Sequence, residues 1–152
     1  MDIGDLISPE TVFADIKATS KKQALQELSR RAAAATKCDE REILNVLIER
    51  ERLGTTGVGQ GIAIPHGKLK SLNNIQGFFA RLDTGINYDA MDDMPVDLIF
   101  LLLAPEEGGA DHLKALARVS RTLRNADRCA RLRGTENADA IFAVLTDDNK
   151  AA

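Results

Sequence analysis

The sequence predicts an α/β fold in which helices cover both faces of a sheet. Apolar residues recur at helical spacing near both ends of the chain, and short β-branched runs lie between them. The run Val96-Asp-Leu-Ile-Phe-Leu-Leu-Leu103 is nearly all apolar, which marks a strand buried on both faces. Alternation of such elements gives a layered sheet in one domain, and 152 residues suffice to bury a real core.

Taken in order, Ile3, Leu6 and Ile7 before Ser-Pro suit a loose helical turn, and Thr11 to Ile16 a first strand. Ser20 with Gln23 three residues on reads as a capping box that opens a helix from about Lys21 to Ala35. Asp39 with Glu42 opens a second helix, with Ile43, Val46 and Leu47 on its apolar face. Gly54 is placed to end that helix, with Arg50 and Arg52 in its last turn. Ile62-Ala63-Ile64 reads as a short strand that Pro65 ends, which leaves His66 on a tight loop, and residues 68–74 as polar connection. Ile75 to Leu82 is a strand, residues 83–95 a turn-rich crossing, and Val96 to Leu103 the buried strand. Asp111 is a candidate cap for a third helix, with His112 in its first turn and Leu113, Leu116, Ala117 and Leu123 facing inward. Asn125 to Leu132 and Glu136 to Leu145 read as two further helices.

Composition excludes several classes. The net charge is −3, and no basic run is interleaved with aromatics, so nucleic acid is not expected as a partner. No apolar stretch reaches membrane-spanning length, and Met1-Asp-Ile-Gly-Asp lacks the basic start of a secretory signal. Cys38 and Cys129 lie far apart, both in expected helical regions, which suggests reduced thiols in a cytoplasmic protein.

The chemistry concentrates in Gly54-Thr-Thr-Gly-Val-Gly-Gln-Gly-Ile-Ala-Ile-Pro-His-Gly67. Gly57-Val-Gly-Gln-Gly61 lacks the spacing of the dinucleotide fingerprint, and Pro65 comes too soon for its helix. Gly61 to Lys68 has five residues between glycines and Leu69 where a P-loop needs Ser or Thr. No serine sits in a GxSxG elbow, neither cysteine lies near a histidine, and two histidines with no spaced third ligand do not make a metal site. A histidine acting as phosphoryl acceptor remains. An unprotonated imidazole is a nucleophile near neutral pH, and phosphoryl charge needs fixed donors and a cation. His66, a glycine loop with Thr56, Gly57, Gly59 and Gly61, Arg50 from a helix end and His112 from a helix start supply such parts. Each also has a plainer reading taken singly: a satisfied histidine, a tight turn, a dipole partner and a solvated first-turn residue. The residues alone point to an anion-handling site.

Arg50-Glu-Arg-Leu-Gly-Thr-Thr-Gly-Val-Gly-Gln-Gly-Ile-Ala-Ile-Pro-His-Gly-Lys68 resembles the active-site segment of the mannitol/fructose-type IIA proteins of the bacterial phosphotransferase system. Pro95 to Pro105 and His112-Leu-Lys-Ala-Leu-Ala117 resemble the second conserved block, and the two histidines of the chain fall at the family's two histidine positions. The resemblance covers essentially all of residues 1–152, with a core of about 5–146, and is nearest to the nitrogen-regulatory branch (IIA-Ntr). It implies a mixed sheet sandwiched between helices. It also implies that His66 accepts a phosphoryl group on Nε2 from an HPr- or NPr-type carrier, with His112 and Arg50 as stabilisers and no cofactor or metal. The implied role is a cytoplasmic phosphocarrier, a phosphotransferase component with a regulatory output. The resemblance suggests potassium-transport regulators and sensor kinases as its targets. Two alternatives are a sugar-specific IIA that passes phosphate to a IIB domain and a regulatory module that works by contact alone. A docking rim of Val58, Ile62 and Leu69 is expected around His66.

Overall fold

The structure is a computed structural model that describes residues 1–147; the end of the expected domain, residues 148–152, lies outside them. Two 3-10 turns, Ile3–Asp5 and Pro9–Thr11, lead into β1 (Val12–Ile16). The helices α1 (Lys21–Thr36) and α2 (Glu40–Arg52) follow, then β2 (Gly57–Gly59), β3 (Ile62–Ala63) and β4 (His66–Leu69). The long strands β5 (Gln76–Ile86) and β6 (Val96–Pro105) precede α3 (Gly109–Leu123), α4 (Ala126–Arg133) and α5 (Ala138–Leu145). The six strands form one mixed sheet in the order β1-β5-β6-β3-β2, and β4 pairs β6 beyond the end of β3.

Side-chain alternation along the central strands builds the two cores. Ile99, Leu101 and Leu103 of β6 join Phe78, Ala80 and Leu82 of β5 beneath α1 and α2. Leu98, Phe100 and Leu102 join Phe79 beneath α3, α4, α5 and the N-terminal turns. Each fully buried leucine, isoleucine or phenylalanine among them contributes ~1.5–3 kcal/mol. The expected sheet between helix layers is therefore present, with a near-continuous apolar strand at its centre.

The caps form largely as read. Ser20 accepts from Gln23 N, but the Gln23 side chain reaches back to Thr19 N, not Ser20 N. Asp39 accepts from Arg41 N. Gly54 ends α2 at φ +149°, a conformation that L side chains rarely adopt.

Several expectations are corrected. β5 runs on through Asp83, Thr84 and Gly85 to pair Ile86 with Val96, although Asp83 and Gly85 are residues that strands disfavour. The connection expected at 68–74 begins within β4, because Lys68 and Leu69 pair with Ala104 and Pro105. α3 is capped by Gly108, not Asp111, and its buried face is His112, Ala115, Val119 and Leu123. Leu113 is 70% exposed, since the apolar residues of this helix fit two phases and packing selects the one that buries the histidine. Cys38 lies in the turn between α1 and α2, after Lys37 takes the left-handed conformation; Cys129 is helical and buried.

Close packing of α2 on β4 makes one glycine decisive. A Cβ on Gly67 collides with Val46 Cγ1 and comes within 3.9 Å of Leu47. Gly67→Ala should lower stability to urea by about 1–3 kcal/mol, and Val46→Ala in the same chain should restore part of it. Equal losses in the single and double variants would refute this account.

Candidate functional site

His66 opens β4, not a loop, and pairs with Leu102 of β6. Alternation places Gly67 and Leu69 toward α2, with the His66 ring on the opposite face toward α3. His112, on the buried face of α3, meets it edge-on, with ring centroids 5.6 Å apart at 70°. From the last turn of α2, Arg50 reaches the same ring. Three elements distant in sequence thus bring His66, His112 and Arg50 together.

The partners of His66 have fixed polarity, and this fixes its tautomer. Nδ1 lies 2.9 Å from the Ile64 carbonyl, which can only accept, so Nδ1 carries the proton. Nε2 accepts from Arg50 Nε at 3.2 Å, so its lone pair is exposed to that side. Arg50 Nη1 also donates to the Gly54 carbonyl at 3.0 Å, which anchors the guanidinium to the end of its own helix. The ring is held from both ends.

Burial is the main force that lowers the affinity of His66 for a proton, opposed by the hydrogen bond to Ile64; the Arg50 charge adds to the lowering and the Glu51 charge opposes it. Desolvation, not the arginine, has the largest effect. His112 is lowered by burial first, then by the charges of His66 and Lys68. Its Nε2 is buried and has no hydrogen-bond partner among the described residues, which suits an oxygen ligand placed between the rings. A pair of neutral imidazoles beside a permanent cation forms a nucleophilic, anion-accepting site.

The glycine loop makes its recorded contacts with the scaffold. Thr56 is buried, its N–H and hydroxyl both donating to Glu51, and Gly57 N donates to Thr55 Oγ1. A Cβ on Gly57 would lie 2.9 Å from Ala90, one on Gly59 3.2 Å from Asp92, and one on Gly61 against Arg133. The loop's glycines are thus explained by close packing on residues 88–92 and on α4. Arg52, the neighbouring arginine of the helix end, pairs with Glu49 in solvent. Of the expected rim only Val58 is exposed, because Ile62 and Leu69 point into the two cores. Leu53 (84% exposed) and Leu113 are the large apolar side chains that flank Arg50 and His112 in sequence. Sequence reading missed Glu51 and Tyr88, whose roles depend on contacts across the fold. Among the described residues no cluster of metal-binding side chains and no helix of membrane-spanning length and apolarity occurs.

The depressed proton affinities have a definite sign. The unfolded chain binds protons at the ordinary imidazole value of about 6.5, and the folded chain only at lower pH. The stability these rings contribute is fully present above that value and is lost as pH falls through the folded-state values. NMR titration should place both midpoints below 6.5, and urea stability should decline over that interval less in His66→Ala than in wild type. A His66 midpoint above 6.5 would contradict the site's electrostatics.

Residues 5–148 match the family described as the phosphoenolpyruvate-dependent sugar phosphotransferase system, EIIA 2. The chain is 57% identical over 145 residues to a nitrogen regulatory protein of Bradyrhizobium diazoefficiens, covering 95% of each. It is 38% identical over 151 residues to a fructose-specific EIIA component of Haloferax volcanii, covering 97% of this chain and 98% of that one. The crystal structure of nitrogen regulatory protein IIA-Ntr from Neisseria meningitidis superposes with a TM-score of 0.89 at 31% identity, over 95% of this chain and 99% of that one. With the mixed sheet, the paired histidines and this match over nearly its whole length, the chain belongs to the EIIA 2 family of the phosphotransferase system and resembles its nitrogen regulatory members.

Proposed function

We propose that the protein is a phosphohistidine carrier whose His66 Nε2 accepts a phosphoryl group from an HPr- or NPr-type protein, and that its phosphorylation state regulates other proteins. The observation that carries this reading is the locked tautomer, with Nδ1–H on the Ile64 carbonyl and a bare Nε2 beside Arg50. The Nε2 lone pair forms the new N–P bond as the donor's N–P bond breaks, and the electron pair of that bond leaves with the carrier's imidazole. No proton has to leave His66 in this step. The ring gains positive charge while its Nδ1–H stays on the Ile64 oxygen, which stabilises that charge. Arg50 shifts its donors from Nε2 to the phosphoryl oxygens, and His112 Nε2 supplies a further contact from the opposite side. Thr56 spends its N–H and hydroxyl on Glu51 and Gly57 its N–H on Thr55, so in this reading the loop with Gly59 and Gly61 supports the turn that leads to the site.

Similarity to a nitrogen regulatory protein over nearly the full length supports a regulatory output; the family resemblance suggests a cytoplasmic setting and potassium-transport regulators and sensor kinases as target classes. Adding a phosphoryl group with about two negative charges to the ring is sufficient to create or block a protein interface. The likeness to a fructose-specific component favours a second reading, in which the same phosphohistidine passes its group to a IIB domain.

Intact mass should decide the chemistry after incubation with phosphoenolpyruvate, an enzyme I-type kinase and an HPr-type carrier. Wild type should gain one acid-labile phosphoryl group and His66→Ala none, while Arg50→Ala should slow transfer by about 100-fold or more. Phosphate on His66→Ala, or none on wild type with donors proved on a control acceptor, would overturn the proposal. Formation of a phosphorylated sugar when a cognate IIB and permease are supplied would favour the transport reading.

A further inference from the structure

Glu51 follows Arg50 in α2, yet its side chain is only 7% exposed. Its carboxylate meets Lys21 Nζ at 2.9 Å, Thr56 N at 3.0 Å through Oε1, and Thr56 Oγ1 through Oε2. The hydroxyl of the fully buried Tyr88 lies 3.4 Å from the same Oε2 and 3.1 Å from Thr56 Oγ1. Burial, with the charge of Glu51 next, pushes the Tyr88 phenol upward, so it remains a protonated donor. Lys21 completes the cluster by standing over the Tyr88 ring, 4.6 Å from its centroid. Only an ionised carboxylate offers enough acceptor sites for this set without presenting a donor of its own.

Both hydrogen bonds to His66 begin on the segment that this carboxylate fixes. On one side, Glu51 holds the Thr56 N–H, the Thr56 carbonyl accepts from Ile64 N at 2.9 Å, and the Ile64 carbonyl accepts from His66 Nδ1 at 2.9 Å. On the other, Gly54, two residues before Thr56, presents the carbonyl that holds Arg50 Nη1, and Arg50 Nε reaches His66 Nε2. We propose that Glu51 is a positioning residue whose buried carboxylate fixes the turn from Gly54 to Thr56 and thereby holds His66 in its Nδ1–H tautomer with Nε2 turned to the incoming group. The effect on transfer rests on the phosphocarrier reading; the effect on the tautomer does not.

The decisive measurement is therefore made without any phosphoryl donor. Long-range proton–nitrogen correlation on nitrogen-15-labelled protein reads which ring nitrogen carries the proton. Wild type should show His66 predominantly as Nδ1–H. Glu51→Ala should raise the Nε2–H population several-fold while the backbone spectrum stays dispersed, and Glu51→Gln, which retains an acceptor for Thr56 N, should recover most of the wild-type pattern. A folded Glu51→Ala protein with an unchanged His66 tautomer overturns the proposal. Where Glu51→Ala does not fold, Glu51→Asp replaces it, since it keeps the charge but shortens the reach; the same shift supports the proposal and an unchanged ring overturns it. With the carrier added, the initial phosphorylation rate of Glu51→Ala should fall by about 100-fold, with Glu51→Gln recovering most of it. A wild type that takes no phosphoryl group yet shows the locked tautomer would end the phosphocarrier reading and leave the positioning intact.

Discussion

The pairing of β6 constrains everything else in the molecule. A strand buried on both faces has no water to satisfy its main chain, so its backbone groups must find strand partners along both edges. β5 supplies one edge over most of its length, and β3 and β4 supply the other in two pieces. Between the pieces stands Pro65, whose carbonyl still accepts from Leu102 N at 3.0 Å although its nitrogen has no hydrogen to give. The second edge is thus continuous as an acceptor but interrupted as a strand. At that interruption the Ile64 carbonyl turns to His66 Nδ1. The His66 ring is aimed by the same hydrogen-bonding requirement that holds the sheet together.

Two opposed physical terms act on the ring. Desolvation disfavours the imidazolium, while the Ile64 carbonyl favours the protonated state of Nδ1. Their combination keeps one nitrogen protonated and the other bare, which a free histidine achieves only as a mixture of tautomers. Arg50 then does not have to suppress protonation by itself. Its charge is available for an anion, and its anchorage to Gly54 limits the entropy lost when an anion arrives. His112 follows the same logic from α3, where burial keeps it neutral and leaves Nε2 without a partner.

Much of this was legible from local pattern. The caps at Ser20 and Asp39, the stop at Gly54 and the buried run from Val96 are encoded within a few residues of where they act. His66, His112 and Arg50 stood out because few other residues fit phosphoryl chemistry, and the fold brings those three together. The errors share a different cause. The phase of α3 depends on which face the sheet buries, and Leu113 and His112 compete for it with equal local claim. The extension of β5 through Asp83 to Gly85 depends on a partner at Val96 and Pro95, not on propensity. β4 is too short and too polar to announce itself, and it forms because β6 needs an edge there.

The glycine loop carries the same lesson into function. Local reading made Gly57, Gly59 and Gly61 a cradle for a ligand, since glycine permits close backbone approach. Close approach does occur, but to Ala90 and Tyr88, to Asp92 and to Arg133. Arg133 clasps Asp97 and the Gln60 carbonyl, and Asp92 accepts from Gln60 N, so the β2–β3 turn is pinned from both sides. A turn pinned in this way delivers Thr56 to Glu51 and Ile64 to Thr56 with little freedom. Small residues in such a segment can therefore shape a site at one remove. They let the scaffold close tightly enough that a carbonyl and a guanidinium meet the two nitrogens of a single ring.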